Sequence, residues 1–199
     1  MEKQMYIIMG RSGSGKGTQV DLLKKYLEEK GAKNVLHVTT GGGFRTFIEA
    51  DNFAAQKARE TQNTGGLQPE FLAIWNWANI FINTLKGDET ILLDGAPRMP
   101  MELEVLRKAI TFFGYNGATV IHLDVGEVWA IDKLSSRGRE DDKDMEAMKQ
   151  KMEWFTKEVY PCIETYEKDS EYTFIRVNGE QTIEQVHSEL VSKLEMATS

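Results

Sequence analysis

Nine consecutive residues, Gly10-Arg11-Ser12-Gly13-Ser14-Gly15-Lys16-Gly17-Thr18, have the composition of an anion cradle. Glycines let the backbone curl so that successive N–H groups converge on phosphate oxygens. A helix starting near Lys16 would add its positive end. Lys16 supplies a mobile full charge for the β- and γ-phosphates of a nucleotide. The candidate nucleotide ligands are therefore Gly10, Ser12, Gly13, Ser14, Gly15, Lys16, Gly17 and Thr18. The string matches G-x-x-x-x-G-K and then departs from the P-loop pattern, because Gly17 takes the usual Ser/Thr place. Thr18 is thereby out of register for the usual Mg²⁺ contact, which leaves waters, phosphates and a carboxylate to hold the ion.

Chemistry between two phosphorylated molecules gathers negative charge, so cations must arrive from several directions. Arg45, Arg98, Arg137, Arg139 and Lys151 join Lys16 as candidates. Arginine grips paired oxygens in a fork that lysine cannot form. Arg98 follows a strand in a Gly/Pro-rich turn, at the sheet edge where ligands of open α/β folds bind. Asp94 ends the apolar run Ile91-Leu92-Leu93 and can reach Mg²⁺ directly or through water. Capping is the competing role for Asp94, and for Asp141 and Asp142 as well.

The elements that must position these residues are legible from periodicity. Apolar runs at 4–9, 34–38, 90–93, 118–123 and 172–177 predict five buried strands. Helical spacing predicts helices at 18–30, 102–113, 127–136 and 183–194, and one long helix from Met145 through Met148, Met152, Phe155 and Val159. That methionine stripe reads as core. Residues 39–86 are helical with interruptions, including a turn at Gly65-Gly66 and Pro69. Strands that are apolar throughout and alternate with helices specify an α/β fold, a five-stranded parallel sheet flanked by helices on both faces.

With 199 residues, 41% hydrophobic and 28% charged, one domain is expected. Its net charge of −7 excludes the broad basic surface of a nucleic-acid binder. A phosphate site must be a local basic cleft on an acidic body. The single cysteine, Cys162, permits neither an intrachain disulfide nor a cysteine zinc site. His37, His122 and His187 lack metal-ligand spacing and read as ordinary core or surface histidines. No apolar run approaches a membrane span and no leader is evident, so a cytoplasmic monomer is expected.

Five segments in order resemble the adenylate kinases and related nucleoside monophosphate kinases. They are G-x-x-G-x-G-K-G-T at 10–18, His37-Val38-Thr39-Thr40-Gly41 through Arg45, Gly65-Gly66-Leu67-Gln68-Pro69, Asp94-Gly95-Ala96-Pro97-Arg98, and Arg137-Gly138-Arg139-Glu140-Asp141-Asp142. The resemblance spans essentially the whole chain. It implies a P-loop NTPase-type core at 1–38, 87–136 and 145–199, a small helical monophosphate-binding insertion at about 39–86, and a minimal lid at about 137–144. It implies ATP and Mg²⁺ as cofactors and transfer of the γ-phosphoryl of ATP to AMP. Thr40, Gly41, Arg45, Gln68, Gly95, Arg98, Glu102 and Lys151 would then bind the acceptor, and Lys16, Arg98, Arg137 and Arg139 would serve catalysis.

Four departures stand out. The family's adenine-reading Gln falls on Glu102, a carboxylate that only accepts hydrogen bonds and would suit guanine better. Ala96 replaces a Phe, which predicts a wider acceptor pocket. Lys151 stands where the family has an arginine, and the lid is very short. Two other readings stay open here: the same chemistry with GMP or a pyrimidine monophosphate, and a nucleotide-binding module that has lost catalysis.

Overall fold

The computed structural model describes residues 3–138 and 144–197. Five strands, β1 (Met5–Met9), β2 (Val35–Thr39), β3 (Thr90–Asp94), β4 (Thr119–Asp124) and β5 (Thr173–Asn178), lie in the order β2-β3-β1-β4-β5. Every pairing is parallel. The central β1, Met-Tyr-Ile-Ile-Met, is buried at all five positions, as a strand covered on both faces must be.

The pleat sends alternate residues to two separate cores. Met5, Ile7, Met9, Ile91, Leu93 and Val120 face one cluster, with Trp77, Phe81, Leu106 and Phe155. Tyr6, Ile8, Leu92, Ile121 and Val177 face the other, with Val20, Leu23, Leu190 and Leu194. The second cluster is closed by α1 (Lys16–Glu29) and α9 (Ile183–Ala197). The first is closed by α4 (Glu70–Thr84), α5 (Pro100–Phe112) and α8 (Tyr160–Lys168). Ile7, Leu92 and Leu93 have no exposed surface, and each such side chain contributes about 1.5–3 kcal/mol of apolar burial. The sheet and its helices match the α/β architecture read from the sequence, the P-loop NTPase type.

Between β2 and β3 the chain leaves the sheet and forms α2 (Thr40–Phe47), α3 (Phe53–Asn63) and α4. Thr39 caps α2 by accepting from Gly42 N, and Asn52 caps α3 by accepting from Ala55 N. Phe44, Ala58, Leu72 and Ala73 make a small core of their own there.

After β4 come α6 (Glu127–Arg137) and α7 (Met145–Trp154). The long helix expected from Met145 to Val159 is interrupted. A wide π-helical turn at Phe155–Val159 separates α7 from α8, whose first turn carries Pro161. Pro161 has no N–H for an ordinary helical bond, and the looser turn absorbs the mismatch. Met148, Met152, Phe155 and Val159 are core as expected, whereas Met145 is 49% exposed.

Candidate active site

Parallel strands deliver their carboxyl ends to one edge of the sheet, and the residues singled out above cluster there. The loop after β1 is the cradle. Gly10 (φ 148°) and Gly13 (φ 89°) hold conformations that side chains avoid. A Cβ on Gly10 would lie 2.5 Å from Leu123 O, and one on Gly13 would lie 2.4 Å from Ala130 O. Only glycine fits these two positions, so the loop is wedged against β4 and α6. Gly15 supplies the left-handed N-cap of α1, which leaves that helix's first N–H groups at the loop.

Lys16, the first residue of α1, turns back over the cradle. Its Nζ donates to Gly10 O at 2.7 Å and to Arg11 O at 2.8 Å. Burial lowers its pKa to about 8; nearby Asp94 raises it, while Arg98 and Arg137 lower it. Those four side chains therefore share one electrostatic neighbourhood. Burial by itself would raise the Asp94 carboxyl. The His37 contact and the charges of Lys16 and Arg98 outweigh that and hold it below its ordinary value.

Arg98 is fixed on two sides. Its Nε donates to Gly95 O at 2.7 Å and its Nη2 to Thr40 Oγ1 at 3.2 Å. Gly95 (φ 80°) makes that approach possible, since a Cβ there would press to 3.2 Å from both Arg98 Nη2 and Thr40 Oγ1. Thr40 Oγ1 also donates to Gly95 O at 2.9 Å. β2 and β3 are neighbours with Thr39 opposite Asp94, so the α2 start and the Asp94-Gly95 turn meet by register.

One cavity of about 770 Å³ runs across this edge. The cradle residues Ser12 through Thr18 line it, together with Gly41, Arg45, Gln68, Asp94, Gly95, Arg98, Arg137 and Lys151. Among the described residues, six cationic side chains, Lys16, Arg45, Arg98, Lys133, Arg137 and Lys151, line it with two carboxylates, Asp21 and Asp94. On a chain of net charge −7, this is the local basic cleft that the composition required. The cavity volume lies in the range of small-molecule and cofactor sites. Gln68 is 94% buried, since it is 6% exposed, and its Nε2 donates to Ala58 O at 2.8 Å. Thr40 sits just behind the wall at 2% exposure. Arg139, with Asp141 and Asp142, lies outside the described residues.

Two expectations are corrected. Glu102 does not read a base from the cleft wall. It is 1% exposed; its Oε2 accepts from Arg98 N at 2.6 Å and its Oε1 from Trp77 Nε1 at 3.1 Å. Both oxygens are consumed in holding the turn before α5 to α4. Nor does Ala96 widen the acceptor pocket, because it is fully buried in the same apolar cluster as Trp77.

Four residues at or beside the cleft are given no functional role by the sequence. His37, in the middle of β2, places Nε2 3.8 Å from Asp94 and Nδ1 3.9 Å from Asp21. Trp129 and Lys133 of α6 line the nucleotide-loop end, with Lys133 Nζ 4.6 Å from the indole centre. Trp154 lines the opposite end, where its Nε1 donates to Gly65 O at 3.0 Å. Helical spacing from Lys151 could have pointed to Trp154, three residues on along the same face.

The donor set suits Mg²⁺. Asp94 is a carboxylate kept ionised beside the cradle, and among the described residues no cluster of three His, Cys, Asp or Glu forms a protein cage. Mg²⁺ ordinarily keeps several waters and takes one or two carboxylates plus substrate phosphates.

Comparison with known proteins follows the same geometry. The family model described as "Adenylate kinase" matches residues 8–171. Adenylate kinase 1 of Nostoc sp. is 27% identical over 188 residues, covering 94% of this chain and 97% of that protein. Adenylate kinase of Prochlorococcus marinus is 29% identical over 178 residues, covering 89% and 92%. Adenylate kinase of Porphyromonas gingivalis is 28% identical over 184 residues, covering 90% of each.

Proposed function

The chain belongs to the adenylate kinase family, as an ATP-dependent nucleoside monophosphate phosphotransferase that uses Mg²⁺, and from that premise we propose that its acceptor is AMP. The observation that carries the site assignment is the convergence of Lys16, Asp94, Arg98 and Arg137 on one cleft. The Glu102 finding supports the acceptor, because it removes the only residue that leaned towards guanine.

ATP lies with its phosphates in the cradle 10–18, and Lys16 leaves its backbone carbonyls for the β- and γ-oxygens. Arg98 and Arg45 grip the acceptor phosphate, with Thr40, Gly41, Gly95 and Gln68 shaping the wall beside it. Arg98, Arg137, Arg139 and Lys151 neutralise charge as the γ-phosphoryl passes to the acceptor oxygen. Asp94 would hold Mg²⁺ through its water shell, and the ion would supply positive charge to the phosphates. No covalent enzyme intermediate is needed, since catalysis is positioning and electrostatics. An arginine on the transferred group is worth 10³–10⁵ in rate, about 4–7 kcal/mol.

In this reading residues 39–86 are the acceptor-binding insertion and 137–144 the lid, within one domain. We read the protein as a cytoplasmic monomer. A lone buried thiol, Cys162, suits a reducing compartment. Among the described residues no helix is long and apolar enough to cross a membrane.

The test is an ADP-release assay with ATP, Mg²⁺ and each nucleoside monophosphate in turn. AMP is expected to give the highest kcat/KM. Preference for GMP or a pyrimidine monophosphate would replace the acceptor, and binding without turnover would mark a module that has lost catalysis.

A further inference from the structure

Trp154 ends α7, on the core side of the cleft, yet its indole N–H reaches Gly65 O at 3.0 Å in the turn between α3 and α4. Gly65 (φ 73°) is seated directly on α7: a Cβ there would fall 2.7–2.9 Å from Ala147 O, Cα and Cβ. The excursion between β2 and β3 is thus docked on the helix that follows the lid. The same indole also packs against the cation next to it, with the guanidinium carbon of Arg98 5.7 Å from the ring centre. Gly95 O and Thr40 Oγ1 hold the other parts of that guanidinium. Trp154, Gly65 and Arg98 all line the cleft.

We propose that Trp154 is a positioning residue: its ring sets the plane of the Arg98 guanidinium, and its N–H ties the acceptor insertion to α7, so that ordering of the insertion and aiming of Arg98 are one event. This rests on the reading of the cleft as a kinase site with its acceptor phosphate at Arg98. The physical basis is that an arginine with one face on an aromatic ring loses rotational freedom while its unused N–H groups stay available. A hydrogen bond across the mouth makes the wall beside the acceptor follow the same indole.

Steady-state kinetics on the full chain test this with Trp154→Phe, which keeps a ring but drops the N–H, and Trp154→Leu, which drops both. Trp154→Phe is expected to raise the acceptor KM about three- to tenfold, the effect of one lost hydrogen bond, with a smaller loss of kcat than Trp154→Leu. The ATP KM should stay within about twofold in both, since neither loss touches the cradle. In an Arg98→Ala background, Trp154→Leu should lower kcat no further, because interacting residues are not additive. The proposal is overturned if ATP and acceptor KM rise together, if neither variant moves the acceptor KM, or if the two losses multiply. Should Trp154→Leu lose its cooperative melt, Trp154→Phe decides alone, by the KM split. Wild-type protein that transfers to no monophosphate overturns this proposal and the kinase reading together. Active wild type with unaffected variants overturns only this one.

Discussion

Replacing Lys16 by methionine should abolish transfer and at the same time stabilise the nucleotide-free protein. The folded-state pKa of Lys16 is about 8 against an ordinary 10.5, with burial as the main cause. Holding the ammonium there is unfavourable, and the full shift corresponds to about 3.4 kcal/mol at 1.36 kcal/mol per unit. Lys16 is only half-buried, and water screens part of that cost. The carbonyls of Gly10 and Arg11 also lose a donor in the variant. A net gain of about 1–2 kcal/mol at pH 7 is the expected remainder. Its pH dependence is the sharper signature. Below pH 8 the lysine is protonated in both folded and unfolded chains, so the whole penalty is present. As pH rises from 8 towards 10.5 the folded chain releases the proton first, the unfolded chain holds more protons, and wild-type stability climbs relative to the variant. Urea unfolding of both proteins without nucleotide, at pH 7, 8, 9 and 10, gives the difference directly. A methionine variant that is less stable at pH 7, or a difference that stays flat to pH 10, would refute the argument that this lysine is held against its own solvation.

The same residue predicts linkage on the ligand side. ATP phosphates beside Lys16 favour its charged form, so ATP binding at pH 8.5–9 should take up protons, seen by calorimetry in buffers of unlike ionisation enthalpy; no buffer dependence would count against contact. Arg98→Ala should raise the acceptor KM at least tenfold while moving the ATP KM less than twofold, and equal losses for both nucleotides would undo the assignment. Glu102→Gln should leave the ratio of kcat/KM between AMP and GMP unchanged and lower stability by about 1–3 kcal/mol in thermal or urea melts, because one of two buried N–H donors loses its acceptor; a shifted base preference would return Glu102 to the base site.

The cradle was legible because its requirements are local. Gly10 and Gly13 sit where any Cβ would strike backbone, so the glycine spacing carries the loop's shape directly. Asp94 and Arg98 were legible because an apolar strand followed by Asp-Gly fixes the carboxyl edge of a parallel sheet. Glu102 was misread for a reason of direction. Its place in the first turn of α5 was clear, but which way its carboxylate turns is decided by N–H groups of Trp77 and Arg98. Helical spacing from Lys151 points towards Trp154, but its role is hidden from the sequence because its partner Gly65 lies 89 residues away in the chain. His37 looked ordinary until β2 paired with β3 and brought it beside Asp94. Pairing register and packing across the cleft are long-range outcomes, and periodicity reports only the near neighbours along one element.

The excursion carrying α2, α3 and α4 departs from Thr39, and the chain re-enters the sheet at Thr90, which lies opposite Val35 at the other end of the strand pair. Its two stalks therefore stand at opposite edges of the sheet, about four residue rises or roughly 13 Å apart along the strands, and α4 spans that length with Trp77 and Phe81 in the main core. The part ahead of that span, α2, α3 and the first turn of α4, has its own small core of Phe44, Ala58, Leu72 and Ala73, and can be exchanged for another without shifting any rung of the sheet. Transplanting a relative's segment between Thr39 and the first turn of α4 is a direct route to a new acceptor preference on an unchanged ATP-binding body.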